Sequence, residues 1–394
     1  MTILFKGGLV FDGKGETYEG YGVLVEGDRI KRVAPMAEFE GYAGEVVDTT
    51  GGTLMPGLTD CHVHLCMAGT ADPKAAMDKL SDAAITVLAL KHAQDTLRAG
   101  ITSIRDCGGK DYLEFAVRDA IKKGEFQGPT IMASGRMICM TGGHGNRWGR
   151  IADGCDEVIK AVREQVHAGS DMIKIMATGG VMTPGVDPED AHYTAEEMRA
   201  GVQEARRFRK TTASHAQGGE GILNAVRAGI HSIEHGIFMD DTCLEEMLAG
   251  GTYLVPTIAA LRNIVDGASK GGIPPYVVEK ANRVAERHQE SFKTFYKAGG
   301  KIAMGTDAGT PFNRHGDNPQ ELSLMVDYGM APKDALVCGT FNGADLMGLE
   351  DQGYVGEGAM ADLLVVNGNP VEDIKMAADP ANHRQVFKWG EAVR

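Results

Sequence analysis

The 394-residue chain is predicted to fold as an α/β protein, a (β/α)8 barrel with a small β-sandwich built from both chain termini. The first observation is a recurring unit in which a helical segment ends in a small residue and glycine and a short apolar strand follows. It is seen in RAGITSIRD (98–106), HAGSDMIKI (167–175), RAGIHSIEH (227–235), LAGGTYLVP (248–256) and KAGGKIAMGTD (297–307). Alternating helix and strand implies a parallel sheet, and glycine ends a helix without a Cβ clash. The second is a count: strand-like segments at 58–65, 101–106, 130–134, 171–176, 211–215, 231–235, 252–256 and 301–306 make eight, the number that closes a barrel. The third is a change of period at the two ends. YGVLVEGDRIKRVAP (21–35) and GYVGEGAMADLLVVNG (353–368) read as short strands joined by tight turns. The expected division is therefore a composite sandwich from 1–55 and 352–394, and a barrel from 56–351.

Taken in order, the opening MTILFKGGLVFDGKG lacks the basic start and long apolar stretch of a signal peptide and reads as folded from its first residues. The segments 79–98, 194–210 and 276–297 have helical spacing and length. An open doubly wound sheet is the competing arrangement, but no GxGxxG turn opens its first helix.

Composition narrows the function. A charged share of 24% and an apolar share of 43% are ordinary for a soluble globular chain, and no apolar run reaches the length of a membrane span. A formal charge of -14 argues against nucleic acid, whose phosphates need clustered Lys and Arg, and favours a small-molecule substrate. Seven scattered cysteines without a CxxC pair indicate neither a disulfide framework nor a zinc knuckle and fit a reducing cytoplasm.

Barrel enzymes place their chemistry at the C-terminal tips of the strands. Here those tips carry His62 and His64 in GLTDCHVHL, Lys174 in SDMIKIMATGG, His215 in TTASHAQG, His235 in SIEHG, and Asp307 in KIAMGTDAG. Two histidines two apart on a strand face the same side and can grip one cation. An isolated HxH is also compatible with ordinary polar residues capping a sheet. His215 and His235, at matching positions in successive units, can supply nitrogen ligands or share a packing role. Asp307 can ligate metal and shuttle a proton, or cap a turn. Lys174, flanked by Ile173 and Ile175, points to the barrel interior if they face the helices. A buried ammonium needs a partner: either a salt bridge, or carbon dioxide, which converts the neutral amine to an anionic carbamate able to bridge two cations.

This combination, in this order, resembles the binuclear amidohydrolase superfamily over essentially the whole chain. GLTDCHVHL, TGGHG (141–145), IKIMATGGV (173–181), SIEHG and YLVPT are similar to the group of imidazolonepropionase-related enzymes that includes Xaa-Pro dipeptidases, other metallo-carboxypeptidases and ochratoxin-type amidases. The resemblance implies two divalent cations, with zinc suiting the ligands. It places His62, His64 and Asp307 on one metal, His215 and His235 on the other, and an N6-carboxylated Lys174 between them. It implies a bridging hydroxide as nucleophile, Asp307 as proton shuttle, and His144 reaching the substrate carbonyl or terminal carboxylate. Gly179 and Gly180 would let the backbone approach the ligand. Prolidase-like relatives often carry tyrosines where this chain has Gln217 and Leu261, so Gln217 is a candidate substrate contact that departs from the pattern. Tyr193, Arg136, Asn313 and His315 lie in or near loops that could line the pocket.

The reading is an amidase or dipeptidase-like C–N hydrolase acting on a dipeptide or N-acyl amino acid, a cytoplasmic homo-oligomer. The alternative is a mononuclear cyclic-amide hydrolase or deaminase, but the only glutamates near the fifth and sixth strands, Glu220 and Glu234, are awkwardly placed for a deaminase. A scaffold that has lost catalysis is a third reading, disfavoured because all six candidate ligands are present.

Overall fold

A computed structural model describes residues 2–393. The terminal segments pair with each other. One sheet runs in the order Arg29–Pro35, Tyr21–Glu26, Thr2–Lys6, Glu45–Asp48. The other runs Glu391–Ala392, His383–Lys388, Leu363–Asn367, Gly52–Pro56, Leu9–Phe11, Thr17–Tyr18, so that a C-terminal strand lies antiparallel to Gly52–Pro56, with Leu363 opposite Pro56 and Asn367 opposite Gly52. The period of two explains the shared core: Ile3 with Phe5, Val23 with Val25, and Leu363 with Val365 all turn their side chains into one buried cluster with Phe387. Burial of such apolar side chains stabilises each by roughly 1.5–3 kcal/mol relative to exposure.

The middle of the chain is a mixed α/β structure on parallel strands. Leu58–Val63, Ile101–Asp106 and Thr130–Ala133 pair in sequence. A second parallel sheet runs Arg150–Ile151, Ile138–Cys139, Met172–Met176, Thr211–Ala216, Ser232–His235, Tyr253–Val255. The Asp171 N–H donates to the Ala133 carbonyl at 2.9 Å, linking the two sheets on one side. On the other side the segment 301–308 touches both: Ala303 N–H donates to Leu254 O at 3.1 Å, and Cys61 N–H to Met304 O at 2.8 Å.

That segment was expected to be a regular strand over 301–306, and it forms only isolated bridges, Leu254 to Ile302 and Val63 to Ala308. The reason is local. Thr306 N–H donates to the buried Asp60 carboxylate at 3.0 Å and the Thr306 carbonyl accepts from Asn313 Nδ2 at 2.7 Å, so side chains take the bonds a ladder would use. Gly305 permits the approach, since a Cβ there would lie 2.3 Å from Val255 Cγ1 and 3.0 Å from His62 Cβ.

The predicted helices are Asp82–Arg98, Ala195–Arg207 and Pro275–Lys297. Thr194 starts the second with a capping box: Glu197 N–H donates to Thr194 Oγ1 at 3.3 Å and Thr194 N–H to Glu197 Oε2 at 3.0 Å. The helix Gly154–Ala168 buries Val158, Ala161, Val162 and Gln165, a helical stripe, and stops at Gly169 with φ 100°. Among the described residues no helix is long and apolar enough to cross a membrane, and all seven cysteines are free.

Candidate active site

The tips of the parallel strands open into a cavity of about 480 Å³ whose wall contains His62, His64, Lys174, His215, His235 and Asp307 together. His62 Nε2 lies 3.6 Å and His64 Nε2 3.1 Å from Asp307 Oδ1. The rings of His62 and His235 are 5.3 Å apart, and those of His215 and His235 4.5 Å. His62, His235 and Asp307 present ligand atoms all within 4.8 Å of one another.

Each imidazole is held from behind. His62 Nδ1 bonds Glu234 Oε2 at 2.8 Å, His64 Nδ1 donates to Gly108 O at 2.8 Å, His215 Nε2 donates to Gly179 O at 2.8 Å, and His235 Nδ1 bonds Thr257 Oγ1 at 2.6 Å. One nitrogen is thereby committed and the tautomer set, leaving the other for a ligand, the arrangement that metal-binding histidines use. Burial, followed by the nearby Lys174 ammonium, pulls His62 well below its ordinary pKa and His215 down to about 3. Burial, followed by His215, does the same for His235. These rings are neutral, the form that binds metal. His64 differs: burial lowers it, but Asp307 overcomes that and leaves it raised.

Two features of the cluster are incomplete as protein alone. Asp307 Oδ1 is buried and accepts no hydrogen bond of proper geometry, despite His64 Nε2 at 3.1 Å. Lys174 is 2% exposed, and among the described residues no carboxylate forms an ion pair with it. A buried carboxylate oxygen without a hydrogen bond and a buried lysine without an ion pair are costly. Cations among these neutral nitrogens and oxygens would satisfy the donor set, so the residues present fit a metal centre.

Of the eight non-glycine residues with positive φ among the described residues, three lie at this place. His235, Thr257 and Asp307 have φ of 75°, 53° and 61°, a region costing a non-glycine residue about 1–3 kcal/mol and persisting where surrounding bonds over-determine it. His235 illustrates the consequence. Strict alternation would turn Glu234 and His235 to opposite faces, but the left-handed turn at His235 lets both serve the site.

His144 stands on the wall with Nδ1 bonded to Thr183 Oγ1 at 2.8 Å, its ring 4.4 Å from that of His215. Gln217 also lines the cavity, and its Oε1 is buried without a partner. Gly180 is not on the wall: it stands behind His144, where a Cβ would lie 2.7 Å from Nε2, and so makes room for the ring rather than for a ligand. Of the four loop residues, Tyr193 donates to Ala152 O at 2.7 Å and Arg136 to Trp148 O at 3.0 Å, both bracing loops. Asn313 supports Thr306, and His315 bonds Met67 O at 3.0 Å while stacking on His92.

Sequence reasoning missed the support. Arg105, 1% exposed, donates to Glu234 Oε1 at 2.7 Å and to Cys61 O at 2.6 Å, tying Ile101–Asp106, Ser232–His235 and Leu58–Val63 together. Asp106 accepts from Leu65 N–H at 2.8 Å and Gly108 N–H at 2.9 Å, fixing the loop whose carbonyl orients His64. The available signal was a charged residue inside each of two apolar strands, ITSIRD and SIEH, of opposite sign.

Comparison with known proteins places these features in context. The profile of the Amidohydrolase family matches residues 53–393. An ochratoxinase of Aspergillus niger is 30% identical over 430 aligned positions, covering 100% of this chain and 87% of the relative. The crystal structure of a Xaa-Pro dipeptidase with methionine bound in its active site superposes with a TM-score of 0.92 at 33% identity, over 100% of this chain and 99% of that one. A prolidase solved with N-methylphosphonate-L-proline gives 0.91 at 30% identity, with 100% of both chains covered.

Proposed function

The chain belongs to the amidohydrolase family, and from that premise we propose that it cleaves the amide C–N bond of a dipeptide or N-acyl amino acid with two divalent cations. The observation that carries the binuclear reading is Lys174: a buried lysine that forms no ion pair with a carboxylate among the described residues, set among the imidazoles on the same wall. If its neutral amine adds carbon dioxide and releases a proton, the resulting carbamate offers two oxygens and a negative charge. His62, His64 and Asp307 would then hold one cation and His215 and His235 the other, with Lys174 between them. The donors suit zinc.

Bound there, the cations supply Lewis acidity toward the scissile carbonyl and lower the pKa of water. Asp307, besides holding a cation, would serve as the proton shuttle, holding a proton on its carboxylate and passing it to the leaving amine nitrogen. His144, anchored through Nδ1 by Thr183, turns Nε2 to the substrate carbonyl or carboxylate. Gln217 offers a substrate the side-chain oxygen that has no protein partner. The links made by Asp171 and by 301–308 support a closed eight-stranded barrel over 56–351, and the pairing of terminal strands supports a sandwich of 1–55 with 352–394. Similarity to an ochratoxinase, a Xaa-Pro dipeptidase and a prolidase supports amide cleavage here.

The test is elemental analysis of protein purified without chelator and with bicarbonate throughout, beside turnover of a dipeptide and N-acyl amino acid panel. About two equivalents per chain are expected. Lys174→Ala and Asp307→Asn should each nearly abolish turnover while leaving the fold intact. Near-normal activity in either variant, or about one equivalent, would overturn the binuclear reading and favour ring opening or deamination at a single metal.

A further inference from the structure

We propose that Lys74 is the carboxylate anchor of this pocket, the side chain that recognises the free carboxylate of the dipeptide or N-acyl amino acid. The assignment rests on the amide-hydrolase reading above and deepens it.

Four cationic side chains line the cavity: Lys74, Lys110, Arg147 and Lys174. Lys110 is neutralised by Asp82 at 2.5 Å, Arg147 grips Asp78 through two nitrogens, and Lys174 sits in the histidine cluster. Lys74 differs. Among the described residues it makes no ion pair; its ammonium donates to Met182 O at 2.6 Å and to Thr183 Oγ1 at 3.5 Å. An ammonium has three donors, so one remains for a ligand. Asp72, also on the wall, has Oδ1 committed to Ala75 N–H at 3.0 Å as a helix cap. Half-buried, Lys74 is pulled down to about 8 by desolvation, the cost of holding a cation against an apolar wall, which an anionic ligand would offset.

Position fits the role. Thr183 Oγ1 accepts from Lys74 and also bonds His144 Nδ1, so the ammonium and the imidazole meet on one hydroxyl beside the cluster. The loop carrying Thr183 is pinned by the helix Pro275–Lys297: Tyr276 OH donates to Met182 O at 3.3 Å, and Lys280 Nζ to Thr183 O at 2.9 Å and Val186 O at 2.5 Å. A group held this way binds without first being ordered. Met67, Met77, Leu261 and Ile264 make the wall around it apolar, which suits an aliphatic side chain next to the carboxylate.

Isothermal titration with L-leucine and L-leucinol, which share side chain and amine and differ in the carboxylate, tests this without turnover. The wild-type protein should bind L-leucine about tenfold or more tighter than L-leucinol, the margin of a charge-assisted bond. Lys74→Met should erase that margin and Lys74→Arg should keep most of it. Equal or undetectable binding of the two by the wild-type protein, a comparison that needs no variant, overturns the assignment. So does a margin that survives in Lys74→Met, which would put the carboxylate elsewhere. A Lys74-dependent margin together with no hydrolysis of any amide in the panel leaves the anchor standing and removes the amide-hydrolase reading; hydrolysis without such a margin does the reverse.

Discussion

Glu234 brings a full carboxylate to a position with no solvent contact, and it is tolerable there because both oxygens are engaged, one by His62 Nδ1 at 2.8 Å and the other by Arg105 at 2.7 Å. Its role is to orient His62, so Glu234→Gln keeps the volume but loses the charge that both partners answer. Metal affinity should fall roughly 10–100-fold, measured by competition with a chromogenic chelator, with the circular dichroism spectrum unchanged. Affinity equal to wild type would reduce Glu234 to packing. The six candidate ligands were legible as residues because they fall in or just past short segments that read as strands: His62, Lys174, His215 and His235 lie within Leu58–Val63, Met172–Met176, Thr211–Ala216 and Ser232–His235, His64 lies one residue past the first of these, and Asp307 lies in the irregular segment 301–308. Glu234 was not legible as the partner of His62, because strict alternation assigns Glu234 and His235 to opposite faces, and the left-handed turn at His235 is invisible in that pattern.

Between elements, Glu321 joins the helix Gln320–Asp327 to the start of Ile258–Gly267, accepting the N–H groups of Ile258 at 2.7 Å and Ala259 at 2.8 Å. Burial, the largest effect, raises this carboxyl from 4.5 to about 8. Between those values the folded chain retains a proton that the unfolded chain has released, so Glu321 lowers stability progressively as pH rises from about 4.5 to 8. Calorimetry should show the melting temperature of Glu321→Gln, which cannot ionise, rising relative to that of the wild-type protein as pH increases across this window. A difference between the two that does not change with pH would remove Glu321 as a source of pH dependence. Helices with caps and stripes, such as Ala195–Arg207 behind Thr194, were legible because the signals are local. The regularity of 301–306 was not: whether that backbone bonds a ladder or the side chains of Asp60 and Asn313 depends on residues far away in the chain.

Across the whole molecule, the terminal sheets are tied to the parallel strands by Lys388. Its ammonium donates to Asp362 at 2.6 Å, to Thr102 O at 2.9 Å and to Thr130 Oγ1 at 2.8 Å, all away from the strand tips that carry the site. Lys388→Met strands a buried carboxylate and should cost about 3–5 kcal/mol, read from urea unfolding, with the kinetics of the surviving folded protein unchanged. A loss below about 1 kcal/mol, the scale of an exposed pair, would mean the junction is solvated. The rhythm of helix, glycine and apolar strand, the change to a period of two at both ends, and the six polar residues at strand tips were all written in local order, because secondary structure and burial follow spacing along the chain. Which ring nitrogen is free, which cations are left unpaired, and how Lys74, Thr183 and His144 come to share one hydroxyl were settled by contacts between residues as much as 172 positions apart, as His62 and Glu234 are. Such contacts depend on how the elements pack, and no period in the sequence encodes them.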